Sequence, residues 1–494
     1  MEKSVQEILG ELSQGKVLSG SVDKVITGLT IDSRTVEKGN LFICIKGAKT
    51  DGHSYIDKAL ASGATAVLVE EKVEPRENLT VIRVPDINVA MTELAPWFYD
   101  YPSESMRMIG VTGTNGKTTT TNIVRTILRA AGYRVGLIGT INTMIEDEVE
   151  VSHNTTPNVV DLQRTLYRMK EAQCDYVVME VSSHALALNR VAGIEFDVAA
   201  LTNITQDHLD FHGTFENYRE AKALLFTQLK ENKKTGKTAI FNMDDHSSQI
   251  IKDRTKASVI TYGKGASNNI YPLSFKVEAS HMELHLHTPV GEMNLLLHIT
   301  GEFNVYNVMT AVAICLAEKL PLKVITDVLD GFSGVPGRFQ LVKAGQPFTV
   351  IVDYAHTPDG LDNVLATARL ITKGRLWVVF GCGGDRDAKK RPIMGRIALE
   401  IADNLVVTSD NPRSEDPETI IADIEKGLAG APAHKKLYKI TDRKEAIWFA
   451  LSQAKDDDVI MIAGKGHENY QILGNETIHF DDCEVVKEYF AKEK

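Results

Sequence analysis

Short apolar runs that end in polar, glycine-containing loops recur along most of the chain. Five of them lie in its middle: "RMIGVTGTNGK", "RVGLIGT", "YVVMEVSSH", "DVAALTNITQDH" and "AIFNMDD". Four more, "FTVIVDYAHTPDG", "RLWVVFGCGGDRD", "NLVVTSDNPRSEDP" and "DVIMIAGKGHE", follow towards the C-terminus. Because helical stretches separate the runs, they predict parallel sheets with crossover helices. Ligands bind just outside the carboxyl ends of such strands, so a site is expected in these loops.

The same pattern divides the chain into three predicted α/β domains. Residues 1–98 form a small mixed α/β domain with predicted strands at "LFICIKG" and "TAVLVE". Residues 99–335 form a central parallel-sheet domain that carries a phosphate loop. Within it, "SFKVEA", "MELHLH" and "MNLLLHI" alternate in period two and predict an antiparallel patch whose histidines line a solvated face. Residues 336–494 form a Rossmann-like α/β domain.

Composition excludes several classes of function. The net charge of -11 argues against a non-specific nucleic-acid binder, because such proteins carry a basic face. No apolar run of about 18 residues predicts a membrane span, and the first residues lack the features of a secretion signal. The five cysteines are scattered and form no C-x-x-C pair, which favours reduced thiols in a cytoplasmic protein.

The string "GVTGTNGKTTT" is a variant of the phosphate loop G-x-x-x-x-G-K-[ST], with Val111 at the position of the first glycine. A glycine turn between a strand and a helix places unpaired amides and the helix dipole where an anion can bind. Lys117 would reach the outer phosphates. The Thr118 hydroxyl would bind a magnesium ion. The alternative is a glycine turn that only caps a helix. The candidate nucleotide-binding residues are Gly113, Thr114, Asn115, Gly116, Lys117, Thr118 and Thr119.

Three further residues are candidates for the chemistry around that loop. Glu180 ends a predicted strand and could hold magnesium, although strand ends often carry solvated acids. His208 lies in a predicted turn and Lys222 on the helix behind it. The alternatives are an ordinary hydrogen-bonded histidine and a solvated lysine, respectively.

The string "GCGGDRD" lacks the last glycine of a dinucleotide fingerprint, which disfavours hydride transfer.

Ten strings, in order over the whole length, resemble the Mur ligase family. They are "TGTNGKTTT", "NTTP", "MEVSSHALALNR", "NITQDHLDFHGTFENYREAK", "GEFNVYN", "GRFQ", "DYAHTPDGL", "GGDRD", "DNPRSEDP" and "AGKGHE". The shortened phosphate loop is this family's own form.

The resemblance implies an ATP- and magnesium-dependent ligase that forms an amide bond through an acyl phosphate. It further implies that meso-diaminopimelate is joined to UDP-N-acetylmuramoyl-L-alanyl-D-glutamate by a cytoplasmic monomer that binds no nucleic acid. The first domain would bind the UDP-sugar, the second ATP and the third the amino acid. The alternatives are an L-lysine-adding relative, a folylpolyglutamate synthetase, and a P-loop switch protein that only binds and hydrolyses nucleotide.

Roles for individual residues follow from the resemblance. The implied catalytic residues are Lys117, Glu180, His208 and Lys222, with Lys222 modified to a carbamate. The implied metal-binding residues are Thr118, Glu180, His208 and the carbamate of Lys222. Further ATP contacts are implied for Asn304, Asn307, Arg338, Asp353 and His356. For Arg338 the alternative is a surface arginine at a hinge.

The resemblance also assigns residues to the two substrates that are joined. Contacts to the UDP-muramoyl dipeptide are implied for Ser33, Asn154, Thr155, Thr156, Ser182 and Arg190. For the short polar side chains among them, turn and cap hydrogen bonds are the alternative. Contacts to diaminopimelate are implied for Arg386, Asp410, Asn411, Pro412, Arg413, Gly464 and Glu468.

Arg413 decides which amino acid is expected. Diaminopimelate carries a second carboxylate that lysine lacks, and a guanidinium can grip a carboxylate with two parallel hydrogen bonds. Lysine-adding relatives typically lack this arginine. The alternative is that Arg413 pairs only with Glu415 or Asp416 at the start of the next helix. The sequence identifies no general base for the attacking amine.

Overall fold

The protein is described by a computed structural model that covers residues 1–47, 50–152, 154–230 and 232–492. The chain forms two compact units. The first comprises Met1–Tyr262 with Thr310–Leu320, and the second comprises Gly263–Met309 with Pro321–Lys494. Within the described residues, no helix combines the length and the apolar character that crossing a membrane requires.

The N-terminal part of the first unit is a five-stranded sheet in the order β2-β7-β6-β5-β4, with a separate pair formed by β1 and β3. Strand β2 is antiparallel to its neighbour and the other four are parallel. The strands are β1 Lys3–Ser4, β2 Lys16–Ser19, β3 Val25–Ile26, β4 Gly28–Thr30, β5 Asn40–Ile43, β6 Ala66–Val69 and β7 Thr80–Arg83. The helices are α1 Val5–Glu11, α2 Ile56–Ala61 and α3 Ile87–Phe98, with short 3-10 turns at Gly52–Tyr55 and Pro102–Ser105.

The rest of the first unit is built on an eight-stranded sheet in the order β11-β10-β9-β12-β8-β13-β14-β15. The six strands from β9 to β15 in this order are parallel, and the hairpin β10-β11 extends one edge antiparallel. The strands are β8 Arg107–Thr112, β9 Val135–Ile138, β10 Asn142–Ile145, β11 Glu148–Val151, β12 Tyr176–Glu180, β13 Val198–Leu201, β14 Thr238–Asn242 and β15 Ser258–Tyr262. The helices are α4 Lys117–Ala130, α5 Val159–Glu171, α6 Ser183–Ala187, α7 Leu209–His212, α8 Phe215–Thr227 and α9 His246–Lys252.

Strand order explains why three motifs of the first unit meet. Strand β8, which leads into the phosphate loop, lies between β12 and β13 and is parallel to both. Glu180 ends β12, and the segment that contains His208 follows β13. The carboxyl ends of adjacent parallel strands share one edge of a sheet, so sequence motifs about 70 to 90 residues apart become neighbours.

The second unit begins with a three-stranded antiparallel sheet, as the alternation predicts. Its strands are β16 Tyr271–Val277, β17 Met282–Thr288 and β18 Gly291–Leu297. His285 and His287 alternate with the buried Leu284 and Leu286, which confirms the predicted solvated face. Two helices follow, α10 Phe303–Ala317 and α11 Leu322–Asp330, and the boundary between the two units passes through α10.

A six-stranded sheet in the order β19-β20-β24-β21-β22-β23 forms the remainder of the second unit. Only β19 is antiparallel to its neighbour. The strands are β19 Gln340–Leu341, β20 Thr349–Asp353, β21 Leu376–Phe380, β22 Asn404–Val407, β23 Lys436–Lys439 and β24 Val459–Ala463, and a hairpin pairs β25 Tyr470–Leu473 with β26 Glu476–His479. The helices are α12 Pro358–Ile371, α13 Lys390–Ile401, α14 Pro417–Glu425, α15 Arg443–Gln453 and α16 Asp482–Lys492, with a 3-10 turn at Lys426–Leu428.

The core of each parallel sheet accounts for the uninterrupted apolar runs in the sequence. Strands β12, β21 and β24 are buried at every residue. Parallel sheets covered by helices on both faces require such runs, whereas a half-solvated sheet requires alternation. In the second unit β20, β24, β21 and β22 are consecutive neighbours, so the polar loops that follow these four strands gather at one edge.

Candidate active site

The phosphate loop connects the end of β8 to the first turn of α4. Gly116 is the N-cap of α4 with φ of 88°, a left-handed conformation that favours glycine. Gly113 has φ of +145°, and a Cβ atom there would lie 1.9 Å from the Thr202 hydroxyl. The glycines therefore allow the loop to turn tightly against the next strand, and the first amides of α4 are oriented for an anion.

Residues after β13 hold the phosphate loop in place. The Thr114 amide donates to the Asn203 carbonyl at 2.7 Å, and the Asn115 amide donates to Asn203 Oδ1 at 3.0 Å. The Thr202 hydroxyl donates to the Asn115 carbonyl at 2.6 Å. The loop is thus positioned by contacts from a second strand, which sequence spacing alone did not indicate.

Lys117 and Lys222 both donate to main-chain carbonyls of the phosphate loop. The Lys117 ammonium lies 2.8 Å from the carbonyl oxygens of Gly113 and Thr114. Lys222 Nζ, from α8, lies 2.8 Å from the same Gly113 oxygen and 4.6 Å from the centre of the Tyr218 ring. Two lysines from separate helices therefore converge on one short segment.

Lys222 is not a solvated helical lysine. Its exposed fraction is 1%. Burial lowers the pKa of Lys222 well below its usual value, and the nearby charge of Lys117 lowers it further. The site consequently favours the neutral amine, the form that can react with carbon dioxide.

Glu180 is buried and connects three parts of the first unit. Glu180 Oε2 accepts hydrogen bonds from the Thr118 hydroxyl at 3.1 Å and from the Thr140 hydroxyl at 2.9 Å. Its other oxygen, Oε1, accepts from the Thr140 amide at 2.9 Å. Thr140 was not a candidate from sequence, although it ends the run "RVGLIGT" in the same way that Glu180 ends its own strand.

The pairing of Thr118 with Glu180 fits a magnesium ion. Magnesium prefers hard oxygen ligands, and it is usually bound by one or two carboxylates with substrate phosphates and water. No group of three or more His, Cys, Asp or Glu side chains suited to a metal occurs in the described part of the chain. The metal-binding residues predicted from the sequence, Thr118, Glu180, His208 and a carbamate of Lys222, remain predictions.

His208 lies beside two histidines that the sequence did not single out. His208 is the N-cap of α7, has φ of 53°, and its side chain is 47% exposed. Its ring centre is 4.7 Å from that of His184. Burial, with smaller contributions from His208 and His212, lowers the pKa of His184 to about 4. His212 is buried and its Nε2 lies 3.0 Å from the Ser183 hydroxyl.

Four residues predicted to contact the muramoyl dipeptide surround the end of β12. The Thr156 hydroxyl donates to the Glu180 carbonyl at 2.9 Å and accepts from the Ser182 amide at 3.1 Å. Arg190 donates to the Thr156 carbonyl at 3.2 Å, and the Thr155 hydroxyl lies 3.0 Å from that of Thr140. These polar groups therefore border the predicted magnesium site.

Other predicted residues of the first unit have a local structural role or lie elsewhere. Ser182 accepts a hydrogen bond from the Ala185 amide and caps α6, so the capping alternative also holds for this side chain. Asn154 is exposed in the segment between β11 and α5. Ser33 is buried in the loop after β4 of the five-stranded sheet. The substrate contacts of these residues remain predictions.

In the second unit, Asn304 and Asn307 are buried in the first turns of α10. Asn304 Nδ2 donates to the Thr300 carbonyl at 2.7 Å, and Asn307 Nδ2 donates to Asn304 Oδ1 at 2.8 Å. The two amides are thus held in fixed orientations by one chain of hydrogen bonds. Their contact with adenine remains a prediction.

Arg338, Asp353 and His356 gather around Tyr354 at the end of β20. The Arg338 guanidinium lies 5.1 Å from the Tyr354 ring centre, and within the described residues its buried Nε has no hydrogen-bond partner. Asp353 is buried and accepts from the amides of Phe339 and Ala355 at 2.7 and 2.8 Å.

Desolvation perturbs the titration of two groups in this cluster. It raises the pKa of Asp353, against the opposing charge of Arg338. Desolvation by neighbouring groups lowers the pKa of His356, which is exposed at the surface and whose Nδ1 donates to the Tyr354 carbonyl at 2.8 Å. Perturbed groups that converge in this way are typical of functional sites. The predicted nucleotide-binding role of the cluster stays a prediction.

The predicted amino-acid pocket lies where the loops after β21, β22 and β24 meet. Arg413 donates from Nη1 to the Gly384 carbonyl at 2.9 Å and to the Asn411 carbonyl at 3.4 Å. A Cβ atom on Gly383 would lie 2.9 Å from that Nη1. The guanidinium therefore crosses the paired glycines of "GCGGDRD". Arg386, from the same loop, is exposed and donates to the Asp385 carbonyl at 3.2 Å.

The acids proposed as alternative partners of Arg413 are engaged with other groups. Glu415 pairs with Arg391 at 2.8 Å. Asp416 caps α14 by accepting from the amides of Glu418 and Thr419. Neither contact involves Arg413, so the geometry argues against a purely local ion pair for this residue.

The remaining pocket residues are tightly packed against one another. Asn411 Nδ2 donates to Glu468 Oε2 at 2.9 Å. Gly464 has φ of +120°, and a Cβ atom there would lie 2.6 Å from Asp410 Oδ2. Pro412 lies against the neighbouring loop, because a Cβ atom on Gly384 would be 1.9 Å from the Pro412 carbonyl oxygen. The sequence prediction did not include Lys465, which is buried within this group.

Comparison with known proteins identifies the class. Models of the Mur ligase middle domain, of the Mur ligase glutamate ligase domain and of the Mur ligase family catalytic domain match residues 111–315, 337–466 and 25–99, respectively. The chain belongs to the Mur ligase family, and the predicted three-domain α/β architecture of that family is confirmed. The predicted domain boundaries at residues 98 and 335 remain predictions.

Three similar proteins are diaminopimelate ligases by name. The chain is 48% identical over 471 residues, 95% of each protein, to the UDP-N-acetylmuramoyl-L-alanyl-D-glutamate--2,6-diaminopimelate ligase of Bacillus licheniformis. It is 45% identical over 491 residues, 99% of each protein, to UDP-N-acetylmuramoyl-L-alanyl-D-glutamate--2,6-diaminopimelate ligase 1 of Clostridium acetobutylicum. A solved structure of a ligase of that name matches with a TM-score of 0.67 and 32% identity over 100% of this chain and 99% of the other.

Proposed function

We propose that this protein uses ATP to join meso-diaminopimelate to UDP-N-acetylmuramoyl-L-alanyl-D-glutamate. The observation that carries the choice of amino acid is Arg413, which lies across Gly383 and Gly384 while Glu415 pairs with Arg391. The names of relatives 48% and 45% identical over almost the whole chain support the same choice.

The first proposed step activates a carboxylate. An oxygen of the D-glutamate side-chain carboxylate attacks the γ-phosphorus of ATP, the bond to the β,γ-bridging oxygen breaks, and ADP leaves. The carboxylate oxygen, a poor leaving group by itself, becomes part of a phosphate. Lys117 would exchange the carbonyls of Gly113 and Thr114 for phosphate oxygens, because a charged acceptor forms the stronger hydrogen bond.

The second proposed step forms the amide. The amine nitrogen of the amino acid attacks the acyl carbon, the bond to the phosphate oxygen breaks, and inorganic phosphate leaves with the bonding electron pair. The amine loses one proton in the process. The half-buried Thr155, Ser182 and Arg190 would orient the muramoyl dipeptide beside Glu180. Held in one orientation, the carboxylate reacts as if at very high local concentration.

Thr118, Glu180, His208 and a carbamate on Lys222 would hold magnesium. The metal would supply positive charge that offsets the phosphate and carboxylate charges brought together in the first step. The carbamate would form when the neutral Lys222 amine attacks the carbon of carbon dioxide and loses a proton. Burial of Lys222 supports this proposal, because the ammonium form cannot react.

The far end of diaminopimelate accounts for the polar groups of the amino-acid pocket. Its carboxylate would replace the carbonyl partners of Arg413 and take two parallel hydrogen bonds. Its ammonium would be received by Asp410, Asn411 and Glu468, and Arg386 would add a further contact to the carboxylate. Lysine offers only the ammonium and leaves Arg413 without an anion.

The proposal is tested by measuring phosphate release and product mass while each substrate is omitted in turn. We expect ATP hydrolysis to require both the muramoyl dipeptide and the amino acid, with a product that contains both. Brisk ATP turnover with neither present would favour a nucleotide-hydrolysing switch protein instead. We also expect a monomer in solution and a cytoplasmic location, and sedimentation and cell fractionation test these two points.

A further inference from the structure

Lys465 is a buried cation in the amino-acid pocket, and neither step of the proposed reaction uses it. It follows Gly464 at the end of β24, and its exposed fraction is 0%. Its ammonium lies 3.3 Å from Glu468 Oε2 and 3.5 Å from Asn411 Oδ1. The same ammonium is 5.4 Å from the Tyr470 ring centre. Lys465 therefore contacts two of the residues proposed to receive the substrate's ammonium.

Lys465 is one of three groups that orient the Asn411 amide. Asn411 Oδ1 faces two donors, since it also accepts from the Ile472 amide at 2.9 Å. Asn411 Nδ2 faces the Glu468 carboxylate at 2.9 Å. In the reversed orientation the amide NH₂ would oppose two donors and its oxygen would oppose a carboxylate, so only one arrangement satisfies these partners.

Lys465 also opposes the effect of burial on Glu468. Burial raises the pKa of Glu468, and the charge of Lys465 is the largest influence that lowers it. Asp410 acts in the opposite direction and favours the protonated acid. A protonated Glu468 would lose the charge that attracts an ammonium group. A protein cation beside Glu468 is therefore needed to keep its carboxylate ionised before the substrate binds.

The other charged and titratable groups around Glu468 do not replace this cation. Arg443 is fully buried and pairs with Asp482 at 2.7 Å. Tyr354 and Tyr470 add no positive charge, and burial raises the pKa of both phenols. Lys465 is the cation within hydrogen-bond reach of Glu468 in the described part of the chain.

We propose that Lys465 is a positioning residue of the amino-acid pocket: its contacts with Glu468 and Asn411 hold a charged carboxylate and an oriented amide ready for the far ammonium group of the incoming diamino acid. This inference rests on the proposed function, because it concerns how that substrate is recognised. Lys465 acts through Glu468 and Asn411, and it does not take part in the bond-forming steps.

The test replaces the cation by an apolar side chain of similar length, Lys465→Met, and measures KM for diaminopimelate and for ATP between pH 6.5 and 9.5. We expect KM for diaminopimelate to rise about tenfold at pH 7.5, the scale of one lost hydrogen bond to a charged group. The rise should be larger at pH 6.5 and smaller at pH 9.5, because a higher pH restores the Glu468 charge. KM for ATP should change less than about twofold. Lys439→Met, which removes a half-exposed lysine at the end of β23, should match the parent.

A cycle with Glu468→Gln separates charge from packing. The glutamine side chain cannot ionise, so Lys465→Met added to Glu468→Gln should produce no additional pH dependence. A KM increase in Lys465→Met that is equal at every pH, or that recurs in full in the Glu468→Gln background, would overturn the inference.

Carbon-13 NMR of the parent protein avoids the need for a stable Lys465 variant. With labelled glutamate and with Glu468→Gln to assign the signal, the Glu468 carboxylate should be ionised at pH 7.5. A protonated Glu468 at that pH would overturn the inference. A parent protein that does not use diaminopimelate removes the proposed function and this inference together. A parent that uses it, with an unchanged Lys465→Met, removes this inference alone.

Discussion

The phosphate loop of the first unit and the amino-acid pocket of the second place their cations against different partners. In the loop, Lys117 and Lys222 donate to main-chain carbonyls. In the second unit, Lys465 of the pocket and Arg391 of α13 donate to carboxylates. A cation on a neutral carbonyl gains when a phosphate or carboxylate replaces that partner, whereas a cation already on a carboxylate does not. In these two sites, the partner therefore separates the cations proposed to bind ligand from those proposed to position their neighbours.

Arg413 resembles the cations of the phosphate loop, although it lies in the amino-acid pocket. Its hydrogen bonds run to the carbonyls of Gly384 and Asn411. By this criterion we propose that Lys117, Lys222 and Arg413 bind ligand or carry a modification, and that Arg391 and Lys465 position neighbouring groups. Substitutions that remove one cation of each kind test the distinction.

The largest effect is expected for Lys117→Ala. It removes a charge that acts on the transferring phosphate and leaves the core intact, so kcat should fall by about three orders of magnitude or more. Circular dichroism and the melting temperature should match the parent. Lys323→Ala, at an 83% exposed lysine of α11, is the control and should keep full activity. Near-normal turnover by Lys117→Ala would mean that the nucleotide binds elsewhere.

The next largest effect is expected for Lys222→Ala, at about two to three orders of magnitude in kcat, the scale for one preorganised charged group. Labelled bicarbonate should produce a carbamate signal in the carbon-13 spectrum of the parent. That signal should vanish in Lys222→Gln and persist in Lys230→Gln, which changes an exposed lysine beyond the same helix. A fully active Lys222→Ala would contradict the carbamate role. Lys222 would then belong with the cations that position their neighbours.

Arg413→Ala should lower kcat/KM for diaminopimelate by about two orders of magnitude, because a desolvated charge pair is lost. L-Lysine should be a poor substrate of the parent and should not suffer the same loss in the variant. Arg396→Ala, at a side chain that is 55% exposed, is the matched control. Equal use of lysine by the parent, or equal losses for both amino acids in the variant, would remove Arg413 from its proposed role.

The smallest effect is expected for Glu415→Gln, which removes a carboxylate partner of Arg391. The pair is partly exposed, so the free energy of unfolding should fall by about 1 kcal/mol at pH 7. The hydrogen bond from Arg391 lowers the pKa of Glu415 in the folded protein. Because the pKa of Glu415 is lower in the folded protein, its carboxylate stabilises the fold fully above the unfolded pKa of about 4.3. This stabilisation is lost as the pH falls through the folded pKa, so the difference in free energy of unfolding between parent and variant should vanish in acid. Denaturant titrations at pH 7 and pH 3.5 measure it.

Kinetics of the same variant sharpen the comparison. Because Arg413 has other partners, KM for diaminopimelate should change less than about threefold in Glu415→Gln, the usual limit for a contact outside the binding site. A change as large as that of Arg413→Ala would show that Glu415 holds Arg413 in place.

The sequence predicted the strands and the loops that carry the motifs, because continuous and alternating apolar runs have different burial requirements. It could not predict which polar groups would be buried. Lys222 has the spacing of an ordinary helical lysine, and only the packing of α8 against the phosphate loop buries it.

Side chains that serve other side chains were also missed. Thr140 and Lys465 bind no ligand in the prediction, and their significance comes from the carboxylates of Glu180 and Glu468 that they contact. Strand order brings these partners together from 40 residues apart in the first case, and a pattern along the chain contains no such information.

The close approach of Gly384 to the Pro412 carbonyl limits how the amino-acid preference could evolve. The loops after β21 and β22 touch backbone to backbone there, with space for no additional carbon atom. A larger residue at position 384 would push the two loops apart, and Arg413 itself has φ of 54°, a left-handed backbone conformation that few side chains adopt readily. A descendant of this protein that acquired a new substrate would therefore have to keep glycine at position 384 and, at position 413, a residue that tolerates this backbone conformation.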